Sequence, residues 1–159
     1  MRLVNCFFMG ITVLWPSLGA AAEIEIDPVG VRTCLRGEAA QQDPAHCVTA
    51  AHTACLSFPT PEATAAATLC FAEARDQWNA AIGAGMAAVS ETLDETQLGT
   101  LQVNLRFDLM GDMLQCDRMQ ALAELSETPD EQIALQSSRC GAVASGLTFV
   151  RLALGAPAP

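Results

Sequence analysis

The sequence predicts an all-α domain of about five helices that form antiparallel hairpins, a helical bundle held together by disulfides. Three observations support this prediction. Helix-start signals recur along the chain, apolar residues between them are spaced by three and four, and six cysteines follow residue 30. This spacing is typical of amphipathic helices. Runs of β-branched residues and Asn-Gly turn signals, which would predict strands, are absent from the sequence.

The first 22 residues have the composition of a secretory signal peptide. Arg2 precedes an apolar segment over residues 6–18, and the small residues 19–22 come next. This order is typical of a signal peptide that is cleaved after Ala22. A retained membrane anchor is the alternative, but the apolar run is shorter than the roughly 20 residues that a spanning helix needs. We therefore expect a periplasmic or secreted protein with no stable membrane insertion after cleavage.

The remaining chain is acidic and has the length of one domain. We expect a signal peptide over 1–22, a single helical domain over 23–154 and a disordered tail over 155–159. The formal net charge of the full chain is −10. Nucleic acid is an improbable ligand for such a domain because its phosphates would be repelled. A basic protein partner fits the charge better.

Helix starts are marked by an N-cap residue followed directly by proline, which is tolerated at the first helical position. Four such pairs occur, at Asp27-Pro28, Asp43-Pro44, Thr60-Pro61 and Thr128-Pro129. Capping boxes are predicted for Thr128 with Glu131 and for Asp94 with Gln97. The predicted helices lie near 28–36, 44–57, 61–92, 95–125 and 129–154.

The predicted helix near 95–125 carries two apolar stripes. One runs from Leu98 to Cys116. The other consists of Val103, Phe107, Met110, Leu114, Ala121 and Leu125. A helix that is apolar on two faces is usually buried. We therefore expect this helix to be the most central one.

The cysteines indicate a disulfide framework, because an even number remains in an exported chain once Cys6 is removed. Six cysteines allow 15 pairings. Consecutive helices joined by short turns are antiparallel neighbours, so residues at equal distances from a turn lie opposite each other. Applied to the predicted turns around Gln41, at Pro59 to Pro61 and around Thr128, this argument predicts the pairs Cys34–Cys47, Cys55–Cys70 and Cys116–Cys140.

Residues with catalytic or metal-binding chemistry are few. His46, Cys47, His52 and Cys55 do not match the spacing of zinc sites, and we expect both histidines to be partly exposed on a short helix. We predict no metal and no cofactor. Asp108 and Asp112 stand four apart, but on an acidic helix such a pair is more often a solvated face than a glycosidase site. We therefore expect a protein that is not an enzyme.

Acidic residues gather around two predicted turns. Helix capping and solubility explain such clusters in general, and a contact surface for a partner protein is the alternative. As candidate partner-binding residues we take Glu91, Asp94 and Glu95 at one turn and Glu124, Glu127, Asp130 and Glu131 at the other.

Several segments resemble the lysozyme inhibitor LprI-like family, long known as a domain of unknown function. The segments are Cys47 to Cys55, Cys70 to Asn79, Leu101 to Cys116, Ser138 to Cys140 and Leu147 to Leu152. Together they extend over most of the chain from Cys34 to Leu154. The chain departs from the family pattern before Cys116, where Asp108, Gly111, Asp112 and Met113 replace the family's aromatic and Arg-Asp residues. It also lacks the family's Gly-Gly-Ser segment.

The resemblance implies an exported helical module that binds and inhibits lysozyme through an acidic surface. Lysozymes are commonly basic, and complementary charge raises the association rate of such partners. The alternative is a structural or stress-related cell-envelope protein with no lysozyme target. A contiguous exposed apolar patch would favour that alternative.

Overall fold

The computed structural model describes residues 24–59 and 63–155, and every regular element in these ranges is a helix. Four short helices come first: α1 (Pro28–Cys34), α2 (Glu38–Gln42), α3 (Ala45–Ala51) and α4 (Thr53–Leu56). Three long helices follow: α5 (Thr64–Ser90), α6 (Glu95–Glu124) and α7 (Asp130–Gly155). The predicted all-α, disulfide-stapled fold class is confirmed.

Predicted N-cap residues begin α1 and α6, and Asp43 lies one residue before the N-cap position of α3. Asp27 and Asp43 each accept a hydrogen bond of 3.0 Å from the backbone N–H two residues later. Asp94 forms the predicted capping box with Gln97 at the start of α6. These bonds satisfy backbone donors that have no partner inside the helix. The signal at Thr60-Pro61 and the predicted signal peptide lie outside the described residues.

The structure differs from the predicted helices at three places. The predicted helix near 44–57 is two helices, because the backbone at His52 (ψ 8°) leaves the helical conformation between α3 and α4. The region around Gln41, predicted as a turn, forms α2. Before α7, the Thr128 hydroxyl lies 2.6 Å from the Ser126 hydroxyl and forms no capping bond with the Glu131 backbone.

The central helix is α7, and the expectation that the 95–125 helix is central was wrong. α7 packs against both α5 and α6, which hardly contact each other. Close packing is allowed by a run of small buried residues on α7: Gly141, Ala142, Ala144, Ser145 and Gly146. On α6, only Leu105 and Cys116 are buried. Small side chains on α7 therefore decide which helix is central. The spacing of apolar residues in the sequence does not reveal this kind of close packing.

The larger core cluster surrounds Trp78 on α5 and Phe149 on α7. Their ring centroids are 5.3 Å apart. The segment before α1 closes this core with Ile24 and Ile26, both buried. The Gln77 side chain holds that segment by accepting a bond from the Ile26 N–H and donating one to the Ile24 carbonyl, both 2.7 Å long.

The three disulfides are the same pairs that the sequence predicts: Cys34–Cys47, Cys55–Cys70 and Cys116–Cys140. They connect α1 to α3, α4 to α5 and α6 to α7. Each disulfide limits the freedom of the unfolded chain and so favours the folded state. Among the described residues, no helix combines the length and apolarity needed to cross a membrane.

Candidate functional site

A groove runs between α5 and α6, with α7 as its floor. The groove exists because both outer helices pack on α7 and hardly meet each other. Near the α6–α7 turn it encloses about 540 Å³. Met113 and Ile133 contribute apolar surface there, while Ser137, Ser138 and Gly141 keep the floor low.

Two serines of α7 join the floor of the groove to both walls. The Ser138 hydroxyl donates to the backbone carbonyl of Thr68 on α5 at 2.9 Å. The Ser137 hydroxyl donates to Oε1 of Gln120 on α6 at 3.0 Å. The Gln120 amide in turn donates to the Glu124 carboxylate at 2.9 Å. This chain of hydrogen bonds positions Glu124 at the groove.

The rim of the groove is mostly acidic. Asp117 and Glu124 on α6 and Asp130 on α7 line it. Within the described part of the chain, Arg75 on α5 is the one basic residue that lines the groove, and its Nε lies 3.6 Å from the carboxylate of the neighbouring Asp76. Three carboxylates around one open concave surface attract positive charge. The groove is therefore suited to basic side chains, and we define it by these residues as the acidic groove.

The structure places the predicted partner-binding acids at opposite ends of α6. Glu91, Asp94 and Glu95 surround the α5–α6 turn, whereas Glu124, Glu127, Asp130 and Glu131 surround the α6–α7 turn. Between the two groups lies α6, whose 30 residues span about 45 Å. The seven acids therefore form two clusters and not one face. Of the seven, only Glu124 and Asp130 line the acidic groove.

Asp117 is not among the predicted partner-binding residues, although the sequence contains a signal for it. It stands seven residues before Glu124, which is about two helical turns, so both fall on the same face of α6. Asp130 joins them because α7 begins directly after the α6–α7 turn. Candidate binding residues are therefore better chosen by the helix face that they share than by their distance from a turn.

Asp108 and Asp112 both face Arg151 of α7. The Arg151 guanidinium donates to Asp112 at 2.7 Å and lies 3.6 Å from Asp108. One guanidinium thus compensates two carboxylates. The pair connects α6 to α7, which differs from the solvated face that we predicted.

His52 is a core residue, and the expectation that it is partly exposed was wrong. Its imidazole is 1% exposed and accepts a hydrogen bond of 2.9 Å from the Trp78 indole N–H. Burial, with a smaller contribution from the positive charge of Arg139, lowers the pKa of His52 to about 4. His52 is therefore neutral at physiological pH. Cys47 and Cys55 are not free to bind metal, because both form disulfides.

The second apolar stripe of α6 is exposed. Its members are Val103, Phe107, Met110, Leu114, Ala121 and Leu125, and we call them the α6 stripe. The stripe lies on the side of α6 opposite the residues that pack on α7. Contiguous exposed apolar surface of this kind marks an interaction site on many proteins.

No family model, no curated protein and no solved structure matches this chain. The resemblance to the LprI-like family therefore stays a prediction from the motif residues. The acidic groove and the α6 stripe are the two surfaces of the molecule that bear on its function.

Proposed function

We propose that this chain is an exported protein-binding module whose acidic groove binds a basic segment of another protein. The observation that carries the proposal is the convergence of Asp117, Glu124 and Asp130, from two helices, on one open groove. Export is proposed from the signal-peptide pattern of residues 1–22. The three disulfides support it, because disulfides persist in oxidising compartments.

The groove fits an arginine or lysine side chain in both size and chemistry. Its volume of about 540 Å³ lies within the usual range of binding pockets. Met113 and Ile133 offer apolar surface to the methylene stem of a basic side chain. The carboxylates at the rim would accept hydrogen bonds from its charged end.

Basic lysozymes are the first class of partner to test. The LprI-like motif residues suggest this class, and the acidic rim is compatible with it. An acidic site on a chain of net charge −10 would raise the association rate with a basic protein, and added salt would lower that rate.

The test measures lysozyme binding and lysozyme-driven lysis with the oxidised protein, at low and high salt. The rim variant combines Asp117→Asn, Glu124→Gln and Asp130→Asn. We expect it to weaken binding about tenfold or more, since each substitution removes a carboxylate that faces the partner. A control with the same change in net charge combines Glu38→Gln, Glu91→Gln and Glu95→Gln, all exposed and outside the groove.

The two variants separate a site from a general effect of charge. Equal losses of affinity in both variants would show that binding depends on net charge and not on the groove. A larger loss in the control would move the contact to the α5–α6 turn. Absence of inhibition by micromolar excess of the protein, across several lysozymes, would remove lysozyme as a partner.

The α6 stripe favours the second candidate function, a structural or stress-related envelope protein with no lysozyme target. The observation that supports this second function is the exposed apolar surface that includes Phe107 and Leu114. A partner held by this surface would stay bound at high salt, because burial of apolar area is not screened. Such a partner would be lost on Leu114→Asp and retained by the rim variant.

A further inference from the structure

The α6 helix is apolar on two opposite faces, and the monomer buries only one of them. One face packs on α7 through Leu105 and the Cys116 disulfide. The opposite face is the α6 stripe, where Phe107 is 69% exposed and Leu125 is 86% exposed. A helix with apolar residues on both faces is normally covered on both. Covering the stripe would give α6 the central position that its pattern predicts.

The stripe is large enough for a stable protein interface. From Val103 to Leu125 it extends about 33 Å along the helix. Five of its six members are large side chains that expose about half of their surface or more, and Leu122, 68% exposed, adjoins them. Together they present several hundred Å² of apolar surface, on the order of the 800 Å² that each partner contributes to a standard interface.

We propose that the α6 stripe binds a second copy of this chain, with the two α6 helices packed antiparallel about a two-fold axis at Leu114. An interface on a two-fold axis must be complementary to itself. Five of the six members of the stripe satisfy this condition because they are spaced evenly about Leu114, whereas Met110 would lie against Arg118 of the partner subunit. Val103 pairs with Leu125 at eleven residues on either side, and Phe107 pairs with Ala121 at seven. The largest member thus lies against the smallest.

Charges beside the stripe select the antiparallel arrangement. Arg106 and Glu124 are eighteen residues apart, which is five helical turns, so they lie on the same edge of the stripe. The two-fold axis brings each edge against the same edge of the other copy. Each Arg106 then lies beside Glu124 of the partner subunit, and this contact occurs twice. Parallel packing about a two-fold axis brings each edge against the opposite edge of the other copy, so this contact would not form.

Arg106 is free to make this contact. It is exposed, and in the ranges 24–59 and 63–155 the structure gives it no ion pair and no hydrogen bond. The net charge of −10 per copy opposes association, and salt screens that repulsion. Because burial of apolar area is not screened, we expect the dimer to persist at high salt, whereas a partner in the acidic groove should be released.

The test is sedimentation velocity of the oxidised protein over a concentration series. We expect a monomer–dimer equilibrium, and Leu114→Asp should raise its Kd by about 30-fold or more, since it places two charges at the centre of the interface. Leu69→Asp is the matched control, because Leu69 on α5 is 71% exposed and lies outside the stripe. Its Kd should stay within about threefold of the starting value.

A charge exchange tests the register of the helices. Arg106→Glu and Glu124→Arg should each weaken the dimer about tenfold, and the double variant should restore most of the loss. Circular dichroism at each step verifies that the helices are retained. The readout is molecular mass, so it is independent of lysozyme binding and of the proposed function.

Three outcomes would overturn the proposal. The protein could stay monomeric at all concentrations and at high salt, as it would if the stripe bound a different protein and not a second copy. Leu69→Asp could dissociate the dimer as strongly as Leu114→Asp. The double charge exchange could fail to restore the affinity, which would exclude the antiparallel pairing about Leu114.

Discussion

The two sides of α7 are built differently. The side that meets α3 and α5 holds the large core around Trp78 and Phe149, together with a buried hydrogen bond between Trp78 and His52. The side that meets α6 has a cluster with only three buried residues, Val89, Leu105 and Leu152. We call these the Trp78 side and the α6 side.

The difference shows that α6 depends on discrete anchors more than on buried area. The Cys116–Cys140 disulfide and the contacts of Arg151 with Asp108 and Asp112 connect it to α7. Segments with few buried apolar contacts open at low free energy. The acidic groove and the α6 stripe both belong to this side, so the proposed interactions would act on the less stable part of the molecule.

The largest expected effect comes from removal of the disulfide on the α6 side. Cys116→Ala with Cys140→Ala should lower the free energy of unfolding by about 3 kcal/mol, because the bond closes a loop with a sequence separation of 24. Denaturant unfolding measures this loss. Native-state hydrogen exchange should show faster exchange throughout α6 than in α5.

The matched variant is Cys34→Ala with Cys47→Ala, on the Trp78 side. Its loop is shorter, with a separation of 13, so the entropy model predicts a loss of about the same size. Exchange in α6 should be unchanged in this variant. If both variants accelerated α6 equally, the comparison between the two sides would be wrong.

The second effect is a pH dependence on the Trp78 side. The pKa of His52 is lowered to about 4 in the folded protein, against 6.5 for an ordinary histidine. Between these values the unfolded chain binds a proton that the folded chain does not, so stability falls as pH falls through this window. Relative to His52→Gln, the protein should lose up to about 3 kcal/mol between pH 7 and pH 4.

Unfolding free energies of the protein and of His52→Gln, measured at several pH values, check this expectation. Carboxylate titration is common to both proteins and cancels in their difference. A difference that does not change with pH would mean that His52 titrates normally and is not enclosed by Phe71 and Trp78.

Local signals were enough to predict most of the fold. Asp27, Asp43 and Asp94 cap helices because a carboxylate beside free backbone N–H groups acts within a few residues. Hairpin geometry explains the pairs Cys55–Cys70 and Cys116–Cys140 for the same reason. The pair Cys34–Cys47 was also predicted, although α2 occupies the place of the expected turn. The central helix could not be predicted, because it depends on small residues such as Gly146 matching Val48 and Trp78 across the core.

The candidate site was predicted only in part. Glu124 and Asp130 were identified, but Asp117 was not, since the groove arises from the separation of α5 and α6 in space. The α6 stripe was recognised as a periodic pattern, and its burial was inferred wrongly. Periodicity specifies an apolar face and leaves open whether the same chain or another copy covers it.

A third prediction compares the same substitution, glycine to alanine, on the Trp78 side and on the α6 side. Gly146→Ala should cost about 1–3 kcal/mol, because the new Cβ would lie 2.5 Å from Val48 Cγ1 and 3.2 Å from the Trp78 ring. Gly99→Ala on α6 meets no atom within 4 Å and should stabilise the protein by up to about 1 kcal/mol. Thermal and denaturant unfolding measure both. A loss at Gly99 would indicate that the α6 side is packed more tightly than we describe.

The smallest expected effect concerns the ionic anchor of α6. Arg151→Gln should lower the free energy of unfolding by about 0.5–1 kcal/mol, since the pairs with Asp108 and Asp112 are partly exposed. Arg75→Gln is the control, because Arg75 pairs, among the described residues, only with its neighbour Asp76 on the same helix. High salt should reduce the difference between the two variants.

The two anchors of α6 should also be coupled. If the disulfide and Arg151 hold the same helix against α7, removing Arg151 should cost a different amount once the Cys116–Cys140 bond is absent. With the disulfide present, α6 stays close to α7 and the loss is local. Without it, the loss should appear as wider opening of α6 in hydrogen exchange. Strict additivity of the two changes would mean that each anchor acts alone, and that α6 is held mainly by its apolar face.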